Sequence, residues 1–246
     1  MPLPRFLSPV IAHRGASAIA PENTLAAFQL AHEGGALWLE FDVKLTRDGV
    51  PIIMHDETLD RTTNGTGNVA DMDWADIQKL DAGSWFDARF RGERVPHLAE
   101  ALRFVLDHDL RLNLEIKPCP GRAKATAMVA LIETAKLWPP HYATPVISSF
   151  NEEALAIAAQ LHPHWPRSFA FEGWSSDWRA AAARVGAEAL TVNAEILTSE
   201  RMQVLAQTGL AVLAYTSDDP FRAKQLLNEG ARAIFCNNPK AMIEAL

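Results

Sequence analysis

Cysteine is scarce in this 246-residue chain, and long apolar runs are missing. The two cysteines, Cys119 and Cys236, are too few and too far apart for a disulfide framework or a zinc knuckle. No stretch approaches the roughly 18 uninterrupted apolar residues that a membrane span needs, and Met1–Val10 lack the apolar core of a signal peptide. We therefore expect reduced cysteines and a cytoplasmic protein.

Positive charge is also in deficit. The 23 Lys and Arg residues are outnumbered by 30 Asp and Glu residues, and the formal net charge is −7. Nucleic acids and anionic membranes are bound through basic surfaces, so the composition predicts no nucleic-acid partner and no stable membrane association. An anionic ligand must then be held by a bound cation or by a few local Arg and Lys side chains. No pattern indicates the oligomeric state.

The chain is built from short apolar runs that alternate with helical patterns. Hydrophobic residues make up 48% of it, enough for a sizeable core, and the length suits an α/β barrel of about 250 residues. The candidate strands are Pro9–Ala12, Ala36–Val43, Arg111–Ile116, Thr144–Ser148, Arg167–Phe171, Ala189–Val192, Ala211–Tyr215 and Ala233–Cys236. They predict a TIM-type (β/α)8 barrel, with residues 1–246 as a single domain.

A ninth apolar run, Val50–His55, follows the turn signal Asp48-Gly49. We interpret this run as an antiparallel hairpin partner of the second strand and not as a barrel strand. The turn then places Asp42 roughly opposite Met54 and His55. The imidazole of His55 is thereby brought back beside the second strand.

Residues 56–96 break the alternation, and they are too many for a simple connection in a compact domain. We predict a small insertion that folds over one end of the barrel. Its aromatic residues are expected to form its own small core; they are Trp74, Trp85, Phe86 and Phe90.

Polar residues recur near the carboxyl ends of the predicted strands, the end at which barrel active sites lie. Glu40 and Asp42 are two residues apart in the second strand, and Glu115 and Lys117 are two apart in the third. Because side chains alternate along a strand, the members of each pair share one face. We expect all four to point into one site.

Three carboxylates, those of Glu40, Asp42 and Glu115, cannot all remain ionised side by side without a positive partner. A hard divalent cation resolves this conflict. Ligation by oxygen alone favours Mg²⁺ or Ca²⁺ over zinc.

Two histidines and two cations accompany these acids. His13 and His55 titrate near neutral pH, so the pair can supply one general base and one general acid. Arg14 and Lys117 can neutralise the charge that grows on a phosphate in a transition state. Hydrolysis of a phosphodiester needs both members of the acid–base pair, one to deprotonate the nucleophile and one to protonate the leaving alkoxide.

These residues occur in motifs that resemble the glycerophosphodiester phosphodiesterase family, in its short cytoplasmic bacterial type. The resemblance runs from Ile11 to about Pro118 and continues weakly to Pro239. Its motifs are His13-Arg14-Gly15, Pro21-Glu22-Asn23-Thr24, Glu40-Phe41-Asp42-Val43, Asp48-Gly49, His55-Asp56, Arg61-Thr62-Thr63-Asn64-Gly65, Gly92-Glu93-Arg94-Val95-Pro96 and Glu115-Ile116-Lys117.

The resemblance implies a TIM-type barrel with a small inserted domain. It implies one divalent cation on Glu40, Asp42 and Glu115, and acid and base roles for His13 and His55, with the assignment between them left open. The implied reaction turns a glycerophosphodiester into glycerol 3-phosphate and an alcohol. A free glycerol hydroxyl attacks phosphorus first, and water then opens the cyclic phosphate.

Two residues of the second motif have supporting roles in this hypothesis. Asn23 is expected to cap the first helix, and it could also hold a neighbouring side chain. Glu22 is a candidate for contact with the water shell of the metal.

The sequence departs from the family pattern near its C-terminus. Tyr215-Thr216-Ser217-Asp218 stands where the family tends to have Trp-Thr and a Val-Asn pair. Cys236-Asn237 stands where Thr-Asp is usual, and His97 replaces a common Thr. These differences bear on pocket shape and substrate preference.

Three other functions compete with this hypothesis. A phospholipase would need a basic amphipathic or apolar membrane-facing segment, and none is visible. A non-catalytic phosphate-binding barrel has no use for an acid–base pair. A metal-dependent amidohydrolase would carry His-X-His after the first strand, where this chain has His13-Arg14-Gly15.

Overall fold

The structure, a computed structural model, describes residues 8–246. Within this range eight parallel strands form a closed ring, and one further strand lies outside it. The strands are β1 (Val10–His13), β2 (Trp38–Leu45), β3 (Pro51–Ile53), β4 (Arg111–Ile116), β5 (Val146–Ser149), β6 (Arg167–Phe171), β7 (Ala189–Asn193), β8 (Ala211–Tyr215) and β9 (Ala233–Cys236). Because β1 pairs with both β2 and β9, the ring is complete. The predicted TIM-type barrel is confirmed.

Helices connect the strands and cover the outside of the ring. They are α1 (Leu25–Glu33), α2 (Trp74–Ile77), α3 (Leu98–Asp107), α4 (Ala123–Leu137), α5 (Glu152–Leu161), α6 (Trp178–Arg184), α7 (Ser199–Ala206), α8 (Pro220–Asn228) and α9 (Pro239–Ala245). Short 3₁₀ turns lie at Val69–Asp71, Ala88–Phe90 and Ala194–Ile196. The sequence did not predict α9, which is too short to show a clear helical period. None of the helices in residues 8–246 has the length and apolar character needed to cross a bilayer.

The two faces of each barrel strand serve different purposes. In β2, Leu39, Phe41 and Val43 belong to the large apolar layer between strands and helices. The alternate residues, beginning with Trp38, point into the ring, where Trp38 packs with Ile11 and other apolar side chains. This inner apolar layer fills the barrel beneath the polar residues at its carboxyl end.

The hairpin prediction is confirmed in strand direction and register. β3 runs antiparallel to β2, with Val43 opposite Ile53, and the backbone N–H of Met54 donates to the carbonyl of Asp42 at 3.0 Å. The chain therefore returns to the site two residues after β3 ends. This return places His55 beside the carboxylates of β2.

The segment between β3 and α3 packs in a separate apolar cluster, which also includes Ile52 of β3 and Cys119 after β4, and the members of this cluster are mostly aliphatic. They are Ile52, Met54, Leu59, Val69, Ile77, Ala82, Val95 and Cys119. The expectation of an aromatic core was wrong in part: Trp74 packs against the cluster, whereas Trp85 is 39% exposed. Phe86 lies edge-to-face with both Trp85 and Phe90 outside the cluster.

A network of polar bonds, not aromatic packing, organises this part of the segment. The carboxylate of Asp81 accepts hydrogen bonds from the backbone of Gly83, Ser84 and Gly92 and from the Ser84 hydroxyl, at 2.7–2.9 Å. One acidic side chain thus closes the loop from residue 81 to residue 92. Hydrogen bonds of this kind leave no repeat of apolar residues in the sequence. The aromatic residues of the segment therefore suggested an aromatic core that the structure does not have.

The first helix begins one residue later than expected. Thr24, not Asn23, is the N-cap of α1, and its hydroxyl accepts from the backbone N–H of Ala27 at 3.2 Å. Asn23 adopts a left-handed backbone conformation with φ 58°, and its side chain turns toward Asp42 instead. Asn151 caps α5, since its side-chain oxygen accepts from the backbone N–H of Ala154.

Candidate active site

A cluster of three acids lies at the carboxyl ends of two neighbouring strands. Asp42 of β2 is paired in register with Glu115 of β4, and Glu40 lies two residues before Asp42, on the same face of β2. Each carboxylate offers one oxygen such that all three oxygens lie within 4.8 Å of one another. Glu40 and Asp42 are only 1% exposed. The strand period therefore brings together the acids that the sequence singled out.

Two buried oxygens of this cluster have no hydrogen-bond donor among residues 8–246, namely Glu40 Oε1 and Asp42 Oδ1. The other oxygen of each residue is held: Glu40 Oε2 accepts from the backbone N–H of Arg14 at 3.0 Å, and Asp42 Oδ2 accepts from Asn23 Nδ2 at 2.9 Å. Buried carboxylate oxygens without a partner are unfavourable. An all-oxygen set that leaves such atoms free could hold a divalent metal ion.

Two cations flank the cluster. Lys117 Nζ lies 2.7 Å from Glu115 Oε1 and 3.8 Å from Asp42 Oδ1, and Arg14 Nε lies 3.4 Å from Asp42 Oδ2. Because Arg14 and Lys117 supply two positive charges and the three ionised carboxylates supply three negative ones, the cluster keeps a net negative charge. The cluster is therefore still suited to attract a cation.

The pKa values of the three acids reflect this net negative charge. Burial, followed by the charge of Asp42, raises the pKa of both Glu40 and Glu115. Burial alone would also raise the pKa of Asp42, but Arg14 and Lys117 outweigh it and hold that pKa below its usual range. Further positive charge at the cluster would favour the ionised form of all three.

The turn after β1 explains how Arg14 reaches the cluster through its backbone. Arg14 and Gly15 both have positive φ, 55° and 83°. A Cβ on Gly15 would lie 2.6 Å from the carbonyl carbon of Ala27 in α1, so only glycine allows this close approach. The tight turn directs the N–H of Arg14 at Glu40.

Each of the two predicted histidines is held through its Nδ1 atom. His55 Nδ1 lies 2.7 Å from Asp56 Oδ1, and His13 Nδ1 lies 2.8 Å from Asn237 Oδ1. Both imidazoles line the same cleft, and Nε2 is the nitrogen that remains for a ligand. The two holders differ in charge, since one is a carboxylate and the other an amide.

Burial lowers the pKa of both imidazoles, and their Nδ1 partners oppose that shift. Burial lowers the pKa of His13 to about 4, and the Arg14 charge contributes to the shift. Burial also lowers the pKa of His55, but Asp42 and the hydrogen bond to Asp56 oppose that shift. His55 therefore keeps more affinity for a proton than its burial alone would allow.

Glu22 and Asn23 lie next to the cluster in different roles. Asn23 holds Asp42 as described above. Glu22 Oε1 accepts from Arg14 Nη1 at 2.8 Å, and both Glu22 oxygens accept from the guanidinium of Arg61 at 2.7 and 2.8 Å. Glu22 thus joins the strand ends to the segment between β3 and α3.

The site opens into a cleft of about 840 Å³, lined by residues from most of the barrel strands. Some of these residues received no role from the sequence, among them Lys44 and Phe150. Lys44 is 1% exposed and donates from Nζ to the carbonyl of Lys117 at 2.8 Å. It continues the inward face of Glu40 and Asp42, so the same period of two could have identified it.

The aromatic wall of the cleft is formed by Phe150 and Tyr215, whose ring centroids are 5.6 Å apart in an edge-to-face arrangement. Lys117 Nζ lies 4.9 Å from the centroid of the Phe150 ring. Phe150 follows β5 and Tyr215 ends β8, so neither contact could be read from local sequence. Both rings line the cleft that contains Glu40 and Glu115.

Residues 13–241 match the model of the glycerophosphoryl diester phosphodiesterase family. The chain belongs to this family. The glycerophosphodiester phosphodiesterase of Caldanaerobacter subterraneus subsp. tengcongensis is 36% identical over 239 residues, which cover 95% of this chain and 96% of the relative. A glycerophosphodiester phosphodiesterase of Bacillus subtilis is 34% identical over 244 residues, or 93% of this chain and 83% of the relative.

A solved structure supports the same placement. A phosphodiesterase of Oleispira antarctica, in complex with the product sn-glycerol-3-phosphate, is 37% identical to this chain, with a TM-score of 0.93 over 98% of this chain and 97% of that one. The predicted family and its enzyme class, a phosphoric diester hydrolase, are confirmed.

Proposed function

We propose that this protein hydrolyses glycerophosphodiesters to sn-glycerol 3-phosphate and a free alcohol, and that it requires a divalent cation, Mg²⁺ or Ca²⁺. The observation that carries the proposal is the meeting of three carboxylates, two of them buried, with two imidazoles that are both held through Nδ1. The product bound to the Oleispira antarctica relative supports the choice of substrate. The alcohol that leaves is not determined by these residues.

Glu40, Asp42 and Glu115 would hold the cation. When bound, it would polarise the phosphate and neutralise part of its charge. The remaining charge falls to Arg14 and Lys117, which stand beside the acids at 3.4 and 2.7 Å and can stabilise negative charge that develops on the phosphoryl oxygens. Glu22 and Asn23 support this arrangement, since Glu22 orients Arg14 and Asn23 orients Asp42.

His13 is proposed as the general base of the first step. Its partner at Nδ1 is a neutral amide, and its lowered pKa of about 4 leaves the imidazole unprotonated at neutral pH. Nε2 would take the proton of a free glycerol hydroxyl as that oxygen attacks phosphorus. The result is a cyclic phosphate and a proton held on His13.

His55 is proposed as the general acid. The Asp56 carboxylate at its Nδ1 favours the imidazolium form, which would give its proton to the leaving alkoxide. Water then opens the cyclic phosphate with the roles reversed: His55 accepts a proton from water, and His13 returns its proton to the glycerol oxygen. Both imidazoles thus regain their starting forms.

The proposal predicts metal-dependent release of glycerol 3-phosphate from glycerophosphocholine and glycerophosphoethanolamine. Purified protein should be assayed with Mg²⁺, with Ca²⁺ and with EDTA. His13→Ala and His55→Ala should abolish turnover, whereas His164→Ala, an exposed histidine before β6, should leave it unchanged. Full activity in EDTA, or in either site variant, contradicts the proposal.

The assignment of acid and base has its own test. A substrate whose leaving group is p-nitrophenol does not need protonation of the leaving oxygen. His55→Ala should regain much of its first-step rate on that substrate, and His13→Ala should not. The opposite pattern would exchange the two roles.

We also propose that the chain acts as one domain, in the cytoplasm and without nucleic-acid or membrane partners. The bond from Arg61 to Glu22 supports a single unit, because the inserted segment contributes to the same site. One cooperative unfolding transition and the absence of sedimentation with liposomes are the expected results. Two separate transitions, or stable liposome binding, would contradict these parts.

A further inference from the structure

Asn237 links His13 to an acidic side chain that no sequence motif connected with it. Asn237 follows β9, and its Oδ1 lies 2.8 Å from His13 Nδ1. On its other side, Asn237 donates to Asp218 twice, from its backbone N–H to Oδ1 and from Nδ2 to Oδ2, both at 2.6 Å. Asp218 follows β8 and is exposed. A chain of hydrogen bonds thus runs from solvent to His13.

The Asp218 carboxylate determines which end of the Asn237 amide faces the histidine. An ionised carboxylate accepts hydrogen bonds and cannot donate them. The NH₂ end of Asn237 must therefore face Asp218, and its carbonyl end must face His13. The hydroxyl of Ser17 lies 2.9 Å from this Oδ1 and 2.8 Å from the carbonyl oxygen of His13, and its single proton is shared between these two acceptors.

The orientation of the amide in turn selects a tautomer of the imidazole. A carbonyl oxygen at 2.8 Å requires that Nδ1 carry the proton. In neutral His13 the lone pair is then on Nε2, the nitrogen left for the substrate. If the amide turned by half a rotation, its NH₂ group would face Nδ1 and favour a proton on Nε2, where it would block uptake of another.

We propose that Asp218 is a positioning residue for the reaction: through Asn237 it keeps the proton of His13 on Nδ1 and leaves Nε2 free to act as a base. This inference rests on the proposed function only for the role of Nε2, since the tautomer itself is independent of turnover. Asp218 and Asn237 are also two of the positions at which the chain departs from the family pattern. They contact each other, so the two departures form one unit.

The direct test is the tautomer of His13 in Asp218→Ala. Protein with ¹⁵N-labelled histidine, measured by NMR in the Mg²⁺-loaded form, should show Nδ1-protonated His13, with the signals assigned by comparison with His13→Gln. Asp218→Ala should lose this state. Asp219→Ala is the matched control, because Asp219 is the adjacent residue and caps α8 by accepting from Phe221. It should destabilise the protein without changing the tautomer.

Kinetics supply a second readout. Because a positioned base contributes about 10²- to 10⁴-fold to rate, kcat of Asp218→Ala should fall about 10- to 100-fold. KM should change little, as expected when an interaction of the transition state alone is lost. Asp219→Ala should keep kcat.

Exchange of the two side chains between positions 218 and 237 distinguishes loss of the hydrogen-bond pattern from general structural damage. Asn237→Asp alone places two carboxylates in contact and should lose kcat. Combined with Asp218→Asn, it restores one donor and one acceptor between the two positions and an acceptor oxygen facing His13 Nδ1, so kcat should recover. An unchanged Nδ1-protonated His13 in Asp218→Ala, or a kcat equal to that of Asp219→Ala, overturns the proposal. If the wild type releases no glycerol 3-phosphate, the proposed function fails, and the NMR result still decides the positioning role.

Discussion

Arg61 holds both carboxylate oxygens of Asp56. Its Nε donates to Oδ2 at 2.6 Å and its Nη2 to Oδ1 at 2.9 Å. The same guanidinium reaches Glu22, while Asp56 holds His55. Arg61 therefore connects Asp56, which holds the proposed catalytic residue His55, to Glu22, which holds Arg14.

The first prediction concerns the paired hydrogen bonds of the Arg61 guanidinium. Arg61→Lys keeps the charge but cannot make the paired bonds of a guanidinium, so His55 should lose its fixed orientation. Misplacement of a catalytic group costs up to about 100-fold, and we expect kcat to fall about 10- to 100-fold. Arg94→Lys is the control, since Arg94 lies on the same segment and donates to the carbonyls of Lys79 and Leu80. Equal kcat in the two variants would contradict the role of Arg61.

The second prediction separates the side chain of Asn23 from its backbone. Asn23→Gly and Asn23→Ala both remove the bond to Asp42 and should weaken Mg²⁺ binding by about 10-fold or more, as observed for groups that orient metal ligands. Alanine is disfavoured at φ 58° by about 1–2 kcal/mol. Asn23→Ala should therefore have a lower free energy of unfolding than Asn23→Gly, whereas the two variants should bind Mg²⁺ with the same affinity. Calorimetric titration and urea unfolding measure the two effects, and unchanged Mg²⁺ affinity in both variants would contradict the contact's role.

Local patterns predicted the barrel and the acids, because both depend on short periods. The alternation in β2 aligned Glu40 with Asp42, and the Asp48-Gly49 turn determined the register that returns His55 to the site. In contrast, His13 and Asn237 are 224 positions apart, and they meet only because β1 and β9 close the ring. The bond from Asn23, in its left-handed conformation, to Asp42 likewise joins residues on different elements. No short repeat in the sequence could have predicted the contact between His13 and Asn237 or that between Asn23 and Asp42.

The third prediction concerns the thiols. Cys119 is 4% exposed and Cys236 is fully buried. Burial raises the pKa of both thiols, that of Cys236 to about 12. Since the thiolate is the reactive form, native protein at pH 8 should react slowly with a disulfide reagent, and unfolded protein should release two equivalents at once. Rapid reaction of the native protein would contradict the packing described here.

The fourth prediction is a pH dependence of stability in EDTA. The pKa of His13 falls from 6.5 in the unfolded chain to about 4 in the folded protein. Between these values the unfolded state binds more protons, so the free energy of unfolding should decrease as pH falls from about 6.5 to about 4. His13→Asn removes this contribution. Urea titrations should give a shallower slope for the variant, and identical slopes would contradict the buried, neutral state of His13.

The fifth prediction concerns Arg167, at the opposite end of the barrel from the site. Arg167 begins β6, is 7% exposed, and donates to the carbonyls of Trp165, Val185 and Gly186 and to Glu188 Oε1 at 2.8–3.0 Å. Arg167→Met leaves these acceptors without their donor and should reduce the free energy of unfolding by about 2–4 kcal/mol.

In a barrel of this type the amino end contributes to stability and the carboxyl end to chemistry. Arg167→Met should therefore keep its kcat at a temperature well below its unfolding transition, while its Tm falls. Each kcal/mol lowers Tm by about 2–4 °C in a protein of this size. Asp218→Ala should show the reverse, a low kcat with a small change in Tm. A large loss of kcat in Arg167→Met, measured where the protein is folded, would mean that the two ends of the barrel are coupled.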